Sequence, residues 1–242
     1  MIIANWKMNG SKDLIKDWIT SVSENIKIQD EKECVFCPPV GYLNLSIELI
    51  KEKELGIKLG SQLIESNLSQ PLTGGVSPEM LVDLGCEYAI IGHSEQRTYY
   101  NENDSQLINK IEAAIEENIK PIYCIGENSE QKKNGTKQEV LMKQLDLIKS
   151  NYLSHLVVAY EPIWAIGTGE NAEVSHINET HAFIKEYIKT ISNTANEIPV
   201  VYGGSVNLKN YKEIYSSELV NGLLIGGASL EPINFSIIYN QS

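Results

Sequence analysis

The segment Leu156-Val157-Val158-Ala159-Tyr160-Glu161-Pro162-Ile163-Trp164 opens on apolar, β-branched residues and shows no polar alternation before it meets a glutamate and a proline. A strand with one wet face alternates apolar and polar residues. A short run apolar on both faces suits a parallel strand covered on both sides. Tyr88-Ala89-Ile90-Ile91 repeats the pattern. Further runs begin near Ile2, Cys34, Ile57, Pro121, Pro199 and Gly222. Each interval is long enough for the helical crossover that parallel neighbours require.

Helical patterns fill those intervals. Leu14, Ile15, Trp18, Ile19, Val22 and Ile26 form one apolar stripe, and Leu107, Ile108, Ile111 and Ile115 form another. Ile177, Ile184, Ile188 and Ile191 make a third. Ser77-Pro78-Glu79 reads as a helix start, with a capping hydroxyl and proline at the first helical position. Eight βα units without a Pro/Ser-rich linker indicate an α/β fold, a single eight-stranded parallel (βα)8 barrel over residues 1–242. Periodicity also fits a doubly wound open sheet, but such sheets more often stop at about five or six strands.

The chain has 242 residues, 42% hydrophobic and 21% charged, as expected of a globular protein and not of a disordered one. Its 20 basic and 32 acidic residues give a net charge of −12, which argues against nucleic acid or an anionic membrane as partner. Arg97 is the only arginine. No stretch reaches the ~20 apolar residues of a membrane span. Met1-Ile2-Ile3-Ala4-Asn5-Trp6-Lys7 turns polar too early for a signal peptide. Cys34 and Cys37 form a C-x-x-C inside a strand-like run, and alternation sends residues an odd number apart to opposite faces, so the pair cannot easily grip one metal. With Cys86 and Cys124 they read as buried thiols of a reducing compartment, and a cytoplasmic location is expected.

In such barrels the active site forms where strands end and the following loops begin. The first strand ends in Asn5-Trp6-Lys7-Met8-Asn9-Gly10, the fourth in Gly92-His93-Ser94-Glu95-Gln96-Arg97. Four polar groups leaving an apolar strand together are costly to bury without a purpose. The sixth ends at Glu161-Pro162, followed by Ile163-Trp164-Ala165-Ile166-Gly167-Thr168-Gly169, an apolar then glycine-rich loop. Glutamate is rarely buried unless paired, which sets Glu161 apart. The last two strands end in Tyr202-Gly203-Gly204-Ser205 and Ile225-Gly226-Gly227-Ala228-Ser229. Paired glycines let backbone N–H groups approach a ligand, and a short helix after them can aim its N-terminus at an anion. These loops are the usual phosphate site of such barrels, so an acidic chain can hold a phosphate ester without a basic patch.

Taken together, Asn5-Trp6-Lys7-Met8-Asn9, Gly92-His93-Ser94-Glu95, Cys124-Ile125-Gly126-Glu127, Ala159 to Gly169, Tyr202-Gly203-Gly204-Ser205-Val206 and Gly226-Gly227-Ala228-Ser229-Leu230 closely resemble the triosephosphate isomerase family, in its order and at its spacing from the first strand to the last. The resemblance implies interconversion of dihydroxyacetone phosphate and D-glyceraldehyde 3-phosphate, without metal or organic cofactor, in glycolysis and gluconeogenesis. By matched motif, Glu161 would be the base that moves the proton, His93 would polarise the substrate oxygens, and Lys7 would stabilise the charge on enediolate and phosphate. Asn5 would line the pocket and help hold Lys7, while Gly167, Ser205, Gly226 and Gly227 would hold the phosphate. Pro162 to about Ala172 would be the lid. The resemblance also implies a homodimer, in which Thr73 reaches toward Asn5 and Glu95 of the partner subunit.

Four departures from the family pattern stand out. Gln96 replaces the first of two usual arginines, and Gly75 replaces the usual glutamate of Thr73-Gly74-Gly75. Leu63 follows Gln62 where asparagine is usual, and Gln70-Pro71 stands where Gly-Ala is common, although the loop length from Gln62 to Thr73 matches. The far hinge reads Glu170-Asn171-Ala172. None of these touches Lys7, His93 or Glu161; they bear on dimer strength and lid kinetics. Two other readings share part of the pattern: another phosphate-binding barrel isomerase or epimerase, which would share the paired glycines, and a catalytically silent barrel.

Overall fold

The computed structural model describes residues 1–66, 71–166, 171–192 and 198–242. Its strands are β1 (Ile2–Asn5), β2 (Cys34–Cys37), β3 (Ile57–Ser61), β4 (Cys86–Ile91), β5 (Lys120–Ile125), β6 (Val157–Tyr160), β7 (Val200–Tyr202) and β8 (Gly222–Ile225). Each pairs in parallel with the next, and β8 returns to β1, so the sheet is a closed barrel. The open-sheet alternative is thereby excluded. Every strand begins within two residues of its sequence-derived start.

The period of two sorts each strand into an inner and an outer set. Ile3, Val35, Cys37, Tyr88, Ile90, Ile122, Cys124, Val157, Ala159, Val201 and Leu224 fill the barrel. Their neighbours Ile2, Cys34, Phe36, Ala89, Tyr123, Val158, Tyr160, Val200 and Leu223 join the outer core beneath the helices. Cys34 and Cys37 thus face opposite sides, as alternation requires.

The helices bury the stripes read from the sequence. In Lys12–Asn25 the buried residues are Ile15, Trp18, Ile19 and Val22. Leu14, counted in that stripe, is 39% exposed, because it lies about 100° round the helix from Ile15 and falls on the stripe's edge. Trp18 stacks on Phe36 with ring centroids 4.5 Å apart, joining the first helix to β2. Ser77 caps Pro78–Asp83 by accepting the Met80 N–H. The helix Val174–Ile191 buries Ile177, Thr180, His181, Ile184 and Ile188. Among the described residues, no helix is long and apolar enough to cross a membrane.

Candidate active site

The same alternation carries side chains into the mouth of the barrel. Asn5 continues the inward set of Ile3, Glu161 that of Val157 and Ala159, Gly203 that of Val201, and Gly226 that of Leu224. His93 is out of phase with Ile90, and Gly92, at φ 74°, turns the chain to bring it in. These residues line a cavity of about 390 Å³, together with Lys7, Asn9, Ile166, Gly204, Ser205, Val206, Asn207 and Gly227.

Lys7 adopts φ 53°, a left-handed conformation rare for a side chain of its type. Its backbone N–H donates to Asn5 Oδ1 at 3.1 Å, and its Nζ lies 2.8 Å from Glu95 Oε1. Strain of this kind persists only where the surroundings hold it, and here the Asn5 amide does so.

The Glu95 N–H donates to His93 Nδ1 at 3.2 Å. A donor at Nδ1 requires a lone pair there, so the ring proton sits on Nε2. That Nε2 lies 3.0 Å from Glu161 Oε1. Glu161 is 2% exposed, and its Oε2 accepts the Ser94 N–H at 3.0 Å. Oε1 has no hydrogen-bond partner among the described residues, since His93 lies off line. A buried carboxylate oxygen with an unused lone pair, facing a cavity, is the arrangement a proton acceptor needs.

Between Glu161 and Lys7 the wall is glycine-rich turn. Beyond β7 and β8 the chain offers Gly203, Gly204, Gly226 and Gly227, and a short 3-10 helix, Gly227–Leu230, follows β8 as expected. The Asn210 amide bridges the first of these loops, donating to Ser205 O at 3.0 Å and accepting the Asn207 N–H at 2.8 Å. Gly167 lies outside the described residues, as do Gln70 and Glu170 of the departures noted above.

The loop after Glu161 is anchored at its start. Trp164 Nε1 donates to Glu127 Oε1 at 2.8 Å, and Tyr160 Oη donates to the same oxygen at 3.1 Å. Lys132 Nζ sits over the Trp164 ring. Arg97 does not line the cavity. Its guanidinium turns back to Gly92 O and Cys124 O at 2.9 and 3.2 Å, so it fastens the turn that carries His93. Sequence reasoning also missed the Ser94 N–H, which no side-chain pattern announces, Asn9, which closes a quoted motif without being singled out from it, and Asn207, which sits just past another.

A second cavity, of about 450 Å³, opens beside the first and is lined by Lys7, Met8, Val40, Leu63, Glu65, Glu95, Gln96 and Tyr100, among others. Met8 is 96% exposed there.

A closed (βα)8 barrel with lysine, histidine and glutamate gathered at its C-terminal mouth, facing glycine-rich turns, belongs to the class of barrel enzymes acting on small anionic substrates. A family model described as triosephosphate isomerase matches residues 1–242. Proteins named triosephosphate isomerase are similar along the full length. That of Francisella philomiragia is 40% identical over 100% of this chain and 96% of its own. That of Dictyoglomus thermophilum is 39% identical over 97% and 96%, and that of Colwellia psychrerythraea 37% over 98% and 95%. The chain belongs to the triosephosphate isomerase family.

Proposed function

We propose that this chain interconverts dihydroxyacetone phosphate and D-glyceraldehyde 3-phosphate by proton transfer through an enediolate, the whole of residues 1–242 acting as one barrel domain. The observation that carries this is the convergence of Lys7, His93 and Glu161 with glycine-rich backbone on one cavity.

Ser205, Gly226 and Gly227 hold the substrate phosphate, together with Gly167. N–H groups there supply the attraction that a chain of net charge −12 lacks overall. Glu161 takes the proton from the carbon next to the carbonyl, then returns that proton to the neighbouring carbon. The His93 Nε2–H donates to the substrate oxygens as negative charge builds on them, and the Lys7 ammonium stabilises that charge. Asn5 holds Lys7 in its strained conformation. The proposed reaction runs without metal or organic cofactor. Closure of Pro162 to about Ala172 keeps water and the enediolate apart.

The protein works as a homodimer in the cytoplasm, within glycolysis and gluconeogenesis, and has no nucleic-acid or membrane partner. Met8, Leu72 and Tyr100 are 96%, 60% and 72% exposed in the single chain, which supports an interface on this side. The segment around Thr73 enters the second cavity of the partner subunit. A coupled assay that follows NADH oxidation through glycerol-phosphate dehydrogenase tests the reaction. Turnover of glyceraldehyde 3-phosphate is expected, and turnover of a different sugar phosphate alone would refute it.

A further inference from the structure

Glu161 does not hold its place alone. Its N–H donates to Ile125 O at 2.7 Å, and two residues on the Ile163 N–H donates to Glu127 O at 3.1 Å. The segment past the end of β6 therefore rides on the segment past the end of β5. Between these two bonds lies Gly126, whose own N–H and carbonyl face the other way. On that side β4 has already ended, because Ile91 pairs with Tyr123 and Gly126 lies beyond it. Buried backbone groups at such a point must find other partners.

They find one side chain. Gln144, in the helix Lys137–Leu145, accepts the Gly126 N–H with Oε1 at 2.9 Å and donates from Nε2 to Gly126 O at 3.1 Å. One amide thus pairs with one residue as a neighbouring strand would. The Tyr123 hydroxyl fixes the Gln144 carbonyl at 2.8 Å, so the helix is tied to the same strand. A Cβ added at Gly126 would stand 1.7 Å from the carbonyl oxygen of Glu161. Nothing but backbone separates the two residues, so a displacement of one is passed directly to the other.

We propose that Gln144, which does not line the cavity, is a positioning residue for proton transfer: it clamps Gly126, and Gly126 sets the height of Glu161. The inference rests on the proposed role of Glu161 as the base. Ser205, Gly226 and Gly227, three of the groups that hold the phosphate, follow other strands, β7 and β8, and Lys7 follows β1. Loosening the clamp therefore moves the base and leaves substrate binding in place.

The test is steady-state kinetics of Gln144→Met, which keeps the volume and removes both bonds. Gln144→Glu, which keeps the acceptor but sets an oxygen against Gly126 O, runs beside it. A displacement near 1 Å is expected to lower kcat about 10- to 100-fold. KM should stay within about twofold, the pattern of an interaction needed only in the transition state. A folded Gln144→Met enzyme whose kcat stays within about threefold of wild type overturns the proposal, as does a KM that rises as far as kcat falls. If Gln144→Met does not fold, Gln144→Glu is judged by the same two criteria. An inactive wild type would count against the isomerase reading instead.

Discussion

Shortening Glu161 by one methylene, Glu161→Asp, retracts the carboxylate by about 1.5 Å. The Ser94 N–H now 3.0 Å away, and the His93 Nε2 at the same distance, both pass out of reach. The backbone cannot advance to compensate. It is held through Ile125 O at 2.7 Å and pressed against Gly126, where a Cβ would come within 1.7 Å of Glu161 O. On the other flank, a Cβ at Gly203 would stand 3.0 Å from Glu161 Cγ, so the side chain runs in a slot with little sideways play. A misplacement of about 1 Å at a reacting group costs on the order of 100-fold, and 1.5 Å without compensation brings the expected loss in kcat to about 100- to 1000-fold. That is a barrier increase of about 3 to 4 kcal/mol. KM is expected to change by less than about twofold, because Ser205, Gly226 and Gly227 follow other strands, β7 and β8. The coupled assay with glyceraldehyde 3-phosphate reads both constants. A kcat within about threefold of wild type would show that the carboxylate position does not limit proton transfer, and would refute the reasoning.

Other predictions concern stability and assembly. His181 is fully buried, and burial lowers its pKa to about 4, partly offset by the Leu219 carbonyl. The unfolded chain takes up this proton near pH 6.5 and the folded chain only near 4, so this stability is complete above 6.5 and is lost as pH falls through 4. Urea denaturation should show about 2 kcal/mol less pH-dependent loss between pH 7 and 4.5 in His181→Asn, and equal losses would contradict this. Trp164→Phe removes the donor at 2.8 Å from the buried Glu127 carboxylate, and a loss of about 1.5 to 3 kcal/mol is expected. An unchanged urea midpoint would show that the anchor contributes nothing to stability. Sedimentation at micromolar concentration should give the mass of two 27.0 kDa chains, and a lone monomer would remove the dimer reading. Because Gly75 and Gln96 cannot form an ion pair, the interface should be weaker by about 0 to 1 kcal/mol than one that carries such a pair.

What the sequence revealed, and what it hid, follows from how each residue acts. The strands were legible because burial on both faces leaves unbroken apolar runs. Asn5, Lys7, His93, Glu161, Ser205, Gly226 and Gly227 were legible because they sit at strand ends within motifs, and all of them line one cavity. Barrel closure was not legible from periodicity, since open and closed parallel sheets bury their strands alike. Gln144 gave no signal, because it lies on a helix 18 residues from Gly126 and pairs through an amide that any surface glutamine carries. Arg97 was drawn into the functional cluster by its neighbours. Only the fold shows that its Nε and one terminal nitrogen turn back to the carbonyl oxygens of Gly92 and Cys124. Leu14 shows the limit of apolar counting: a residue one position off a stripe reads as core and lies at its rim.

The most direct test of the account sets wild type beside Glu161→Gln in the coupled assay. The substitution keeps the size of the side chain and removes its capacity to take a proton at neutral pH. Rapid conversion of glyceraldehyde 3-phosphate to dihydroxyacetone phosphate by wild type, with kcat lowered by several orders of magnitude and KM little changed in the variant, is the predicted result. Equal turnover by the two proteins would contradict the assignment of Glu161 as the base.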